Sequence, residues 1–118
     1  MNYFNKANEL YDVKNYQKAI ELSESTSAEL RFNYAIGLAG AFAQLNQLEE
    51  SISAYNLALQ ILPNFMDTWR IHAAIAQLYL NLGDRGNALN HIQIAYTSAP
   101  DDQKEQLQNF INQLNSQP

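Results

Sequence analysis

Apolar residues along this chain recur at intervals of three and four, as in Leu48, Ile52, Tyr55, Leu59 and Leu62. That is the period of a helix with one buried face, whereas a half-buried strand alternates at two. No such alternation is sustained, and no turn dipeptide separates two β-branched runs. The chain therefore reads as all-α, and breaks in the pattern divide it into about seven helices. The first two span about 2–13 and 16–24. A Ser/Thr-rich break follows, in which Thr26 and Glu29 have the spacing of a capping box, and it opens a long third helix that runs to about Leu45. The fourth runs from about Leu48 to Leu62 and stops at Pro63. The fifth opens near Asp67 and closes at Gly83, Asp84 caps a sixth that ends before Pro100, and the seventh starts with Asp102 and Glu105 and continues to about Asn115.

A longer period lies over this one. When Pro63 is placed over Pro100, a shift of 37 residues, Leu38 and Ala39 fall on Ile75 and Ala76, Phe42 on Tyr79, and Asn46 on Gly83. Ser51 then falls on Ala88, Tyr55 on Ile92 and Ala58 on Ala95. Large meets large, small meets small, and both turn positions hold residues that tolerate a left-handed backbone. A weaker copy precedes these two, with Ala7, Leu10, Lys14, Asn15 and Ala19 in the same relative places. The spacing has a physical cause. Two antiparallel helices joined by a tight turn need a small residue where their backbones approach and another where the next helix crosses. One such pair cannot bury both its faces, so copies stack.

On these residues the sequence resembles the tetratricopeptide repeat family, whose helix-turn-helix unit carries large, small, aromatic, glycine, alanine, aromatic, alanine and proline at fixed places. The last copy matches with Ile75, Ala76, Tyr79, Gly83, Ala88, Ile92, Ala95 and Pro100, and the middle one with Leu38, Ala39, Phe42, Tyr55, Ala58 and Pro63. The resemblance implies one domain over 1–118: a right-handed α-solenoid of antiparallel helix pairs, with repeats at about 2–27, 28–64 and 65–100. Residues 101–116 then form a capping helix, whose apolar stripe is Leu107, Phe110, Ile111 and Leu114. Two departures stand out. His72 occupies a place where the family often has tryptophan, and the copies lie about 32 and 37 residues apart. The surplus before Trp69 predicts an extra N-terminal turn on the fifth helix.

Composition narrows the function. Seven Lys and Arg stand against twelve Asp and Glu, for a net charge of −5, which argues against nucleic acid and anionic membranes as main partners. The absence of cysteine removes disulfides, thiolate metal sites and cysteine nucleophiles together. The N-terminus lacks the basic and apolar regions of a secretory signal. The longest apolar run, Tyr34 to Leu45, falls well short of the roughly 20 residues of a membrane helix, so no membrane insertion is expected. No nucleophile–base arrangement emerges, and Gly83 and Gly86 lack the GK[ST] that a phosphate loop requires. His72 and His91 fall on different helices without a paired ligand and read as structural or surface residues. The carboxylates Glu49, Glu50, Asp101 and Asp102 sit at helix N-termini, where capping explains them. No enzyme activity, cofactor or metal is expected.

The resemblance implies that the first helix of each pair lines a concave face that receives a peptide segment or helix of another protein. The positions carried over are Phe4, Asn8 and Tyr11 from the first copy, and Asn33, Ile36, Gly37, Gly40 and Gln44 from the second. The third supplies Arg70, Gln77, Leu80 and Asn81. Family members that grip a chaperone's C-terminal carboxylate use Lys, Asn, Asn, Lys and Arg. Here Asn8 and Arg70 match, but Phe4, Gly37 and Ala74 do not, so that clamp is not expected. Gly37 and Gly40 each cost roughly 1 kcal/mol relative to alanine inside a helix. Close helix packing is the favoured reading of both, and a dent in the binding face the other. The expected function is a non-enzymatic protein-binding module, acting as adaptor, assembly factor or chaperone in a bacterial cytoplasm. The alternatives are a self-associating structural module, such as a homodimer, and a secretion-type chaperone.

Overall fold

A computed structural model of the chain describes residues 28–63 and 67–116. Five helices occupy them: α1 (Ala28–Gln44), α2 (Leu48–Ile61), α3 (Thr68–Asn81), α4 (Arg85–Ser98) and α5 (Asp101–Ser116). Among the described residues there is no strand. These are the five helices the apolar pattern places there, within a residue or two. The expected helices at 2–13 and 16–24, and the Thr26 cap, lie outside the described residues.

The chain separates into two compact units, Met1–Pro63 and Asn64–Pro118. In the first, α1 and α2 pack on each other. Leu38, Ala39, Ala41 and Phe42 of α1 form a buried cluster with Ala54 of α2, and Tyr55 lies partly buried against it. In the second, α3 packs on α4, and α5 packs on α4. Ala76, Ala88, Ile92, Ala95 and Ala99 share a core with Leu107, Ile111 and Leu114 of α5. The stripe assigned to the last helix is therefore its buried face, except that Phe110 stays half-buried at its edge.

Both helix pairs turn by the same device. Asn46 and Gly83 have positive φ, 59° and 82°. In the first turn Asn46 N donates to Ala43 O (3.0 Å) and Gln47 N to Phe42 O (2.8 Å). In the second, Gly83 N donates to Leu80 O (3.0 Å) and Asp84 N to Tyr79 O (2.8 Å). This pair of bonds defines a Schellman cap, which satisfies two carbonyls left open at the helix end and requires a left-handed residue at the reversal. Glycine adopts that conformation freely, and asparagine tolerates it better than most residues. The next helix then starts differently in each pair. Asp84 caps α4, its carboxylate accepting from Asn87 N (3.1 Å) and Asn87 Nδ2 (2.7 Å), and these two bonds hold its pKa below the ordinary carboxylate value. Gln47, in the same place before α2, makes no side-chain cap.

The small residues sit where the helices cross. Ala39, Ala58, Ala76, Ala88 and Ala95 are all fully buried, and so is Ser51. Ser51 Oγ donates to Ala39 O at 2.8 Å, which brings two aligned small positions into direct contact across α1 and α2. The serine is therefore satisfied at a position where the other repeat has Ala88. Because its acceptor is an interior helical carbonyl with a backbone donor of its own, Ser51→Ala leaves no orphaned group. We expect a loss of only about 0.5–1.5 kcal/mol, measured by equilibrium denaturation.

One expectation about this region fails. α3 begins at Thr68, one residue before Trp69, and at 14 residues it is no longer than α2 or α4. The surplus before Trp69 does not add a helical turn; it falls in the connection between Ile61 and Thr68. Pro63 stops one helix, and Asp67 at the start of the next supplies no side-chain cap to draw the helix further back. The extra length of the third expected helix is real, since α1 has 17 residues.

Candidate functional site

The candidate residues of α1 are Asn33, Ile36, Gly37, Gly40 and Gln44, spaced three, four, seven and eleven along the helix and so aligned on one face. Asn33 and Gln44 are exposed, Ile36 and Gly40 half-buried, and Gly37 buried. A Cβ placed on Gly40 meets no atom within 4 Å. Close packing, the favoured reading of this glycine, is thus not what it serves. The position is open, on the same face of α1 as the exposed amides of Asn33 and Gln44.

The stripe on α3 follows the same spacing, with Arg70, Gln77 and Asn81 exposed and Leu80 half-buried. Leu80, like Trp69 and Ala73, packs against the core of its own unit, so it presents one edge outward while the other is anchored. Gln77 Nε2 donates to Asn81 Oδ1 at 3.1 Å, one turn apart on the surface. The Arg70 guanidinium lies 5.4 Å from the centre of the Trp69 ring, a cation–π contact that draws it toward the start of the helix. Each stripe belongs to a different unit. Phe4, Asn8 and Tyr11 lie outside the described residues.

One constellation escaped the sequence reading. His72 on α3 and His91 on α4 are not separate: their Nδ1 atoms lie 3.1 Å apart and their rings stack, centres 5.3 Å apart at 26°. Tyr79 also stacks on His91, ring centres 5.6 Å apart at 25°. Burial pushes both imidazole pKa values down, and the neighbouring His91 charge lowers His72 further. The repeat alignment carried a signal for this. Shifted by 37, His72 and His91 correspond to Ala35 and Ala54, both buried in the first unit. Among the described residues no three metal-ligating side chains converge, here or elsewhere. Nor, among those residues, is any helix long and apolar enough to cross a membrane.

A family model for the tetratricopeptide repeat matches residues 31–65 and 70–102, together more than half of the chain. The chain belongs to the tetratricopeptide repeat family. The first match takes in most of α1 and all of α2, and the second takes in most of α3, all of α4 and the start of α5. The all-α fold of paired helices is the one expected of tetratricopeptide repeats, which serve as protein–protein interaction modules. No curated protein matches the chain.

Proposed function

We propose that this tetratricopeptide repeat protein binds an extended segment of a partner protein along the first helices of its repeats, of which α1 and α3 are described. The repeats at 2–27, 28–64 and 65–100 would form one non-enzymatic module closed by residues 101–116. Its role would be that of an adaptor, assembly factor or chaperone. The observation that carries this reading is the open position at Gly40, free of neighbours where a helix interior ordinarily has a side chain and on the same face as the exposed Asn33 and Gln44. Side-chain amides both donate and accept, which suits them to pair with the main chain of an extended peptide whatever its sequence. Ile36 and Leu80 supply apolar contact beside them. The stripes carry one charge, Arg70, so affinity rests on burial and hydrogen bonds rather than on ion pairing.

The test begins with a ligand selected from a random-peptide library on the intact protein. Isothermal titration should then show Gly40→Leu weakening that ligand at least about tenfold, the equivalent of about 1.4 kcal/mol. Gln60→Leu, on the exposed face of α2, should leave affinity within a few-fold of wild type. The first variant should remain folded, because leucine is a better helix former than glycine and its Cβ meets no neighbour at this position. Equal binding by both variants would refute the assignment. So would a ligand lost from Gln60→Leu alone.

A further inference from the structure

We infer that His72 and His91 form a proton-operated latch between α3 and α4, closed while the two rings share a single Nδ1 proton and opened when both are protonated. The geometry sets this behaviour. A hydrogen bond between two Nδ1 atoms at 3.1 Å needs one donor and one acceptor, so one neutral ring must carry its proton on Nδ1 while the other leaves Nδ1 bare. A first added proton can be accommodated, because an imidazolium Nδ1–H still donates to a neutral Nδ1. A second removes the acceptor and puts two positive rings, stacked 5.3 Å apart, between the helices. The two sites are therefore coupled, and the pair titrates as a unit.

Among the described residues no carboxylate acts on either ring. Tyr79 is the titratable side chain stacked on His91. Of the other charged groups on these helices and on α5, Arg70 lies over Trp69 and Lys104 over Tyr96. Asp84 is tied to Asn87, while Asp67, Arg85, Asp101, Asp102 and Glu105 are exposed. Burial lowers the pKa of both rings, and the His91 charge lowers that of His72 further. The sign follows directly. A histidine whose folded pKa is depressed binds fewer protons than it does in the unfolded chain. The latch's stabilisation is therefore complete above the ordinary value of 6.5 and is lost as pH falls through the lowered values of the folded rings. The first unit has no counterpart, because alanines 35 and 54 occupy the equivalent positions.

These are the only two histidines in the chain, so ring nuclear magnetic resonance resolves the pair without assignment by mutation. At pH 7.5 one ring should show the less common Nδ1–H tautomer, and both should titrate below the ordinary value in two separate steps. Between pH 7.5 and 5.5, amide-exchange protection in α3 and α4, corrected for intrinsic rate, should fall. The fall should reach up to about tenfold for each unit by which a ring's pKa is depressed. Protection in α1 and α2 should hold steady. The double variant His72→Phe, His91→Phe, which keeps two aromatic rings at the contact, should lose this pH dependence. If the variant does not fold, the wild-type measurements decide alone. Two independent titrations at the ordinary value, with both neutral rings in the Nε2–H tautomer, would overturn the latch. Equal loss of protection in both helix pairs would overturn it as well.

Discussion

A chain ending at Pro100 is expected to lose at least about 2 kcal/mol of stability and to bind a hydrophobic dye that the intact protein ignores. The reason lies in what α5 covers. Leu107, Ile111 and Leu114, the last only 2% exposed, form one face of the core that Ala88, Ile92, Ala95 and Ala99 complete from α4 and its end. Burying such a side chain is worth about 1.5–3 kcal/mol, an upper figure for a chain that is not fully extended when unfolded. Three of them outweigh the ordering of a helix that is otherwise polar, though the entropy of fixing that helix cancels much of the gain. Against a typical domain stability of about 5–15 kcal/mol, the remainder is large. Leu114→Ala tests the same contact with the chain intact and should cost about 2–5 kcal/mol. Denaturation of both proteins, followed by dye fluorescence, checks the expectation. A soluble, equally stable truncated chain would remove α5 from the core.

Replacing Ala88 with leucine is expected to cost about 1–3 kcal/mol. Ala88 and Ala76 are both fully buried and share one core. How little room exists at this crossing is visible in the other repeat, where the aligned pair is Ser51 and Ala39 and a single hydroxyl already reaches the facing carbonyl at 2.8 Å. A leucine there must displace backbone or neighbouring side chains. Asn90→Leu, on the exposed face of the same helix, is the matched control and should shift stability by no more than about 0.5 kcal/mol. Equilibrium denaturation that shows the two variants alike would mean that the helices cross elsewhere.

What could be read from the residues follows from which forces act locally. The helix pairs and their turns were legible because small residues at crossings and left-handed residues at reversals recur at fixed separations. Asn46 is the instructive case: a weak match to glycine by chemistry, it proves equivalent by conformation, down to the same two capping bonds. The end of α2 was legible from Pro63 and the opening of α3 from Asp67, but whether the surplus before Trp69 adds a helical turn was not, since that spacing fits a helix or a connection equally well. The histidine contact was missed because helical periodicity assigns a residue to a face of its own helix and is silent about which residue faces it. Only the superposition of repeats, with Ala35 and Ala54 under the two rings, points across the pair. Gly40 was misjudged for a related reason. A helical glycine signals a requirement for no side chain, and the sequence does not say whether the space is filled by a neighbour or left open.

The most direct test of the binding assignment is a map of where a ligand sits. With the library-selected peptide bound, the side-chain amide signals of Asn33, Gln44, Gln77 and Asn81 can be followed beside those of Gln60, Asn90 and Gln93, all exposed but on the second helices. The account predicts that the first set shifts on binding and the second does not, with affinity changing less than about tenfold between low and high salt because the stripes carry little charge. Shifts confined to Gln60, Asn90 and Gln93, or an affinity that collapses as salt rises, would contradict it.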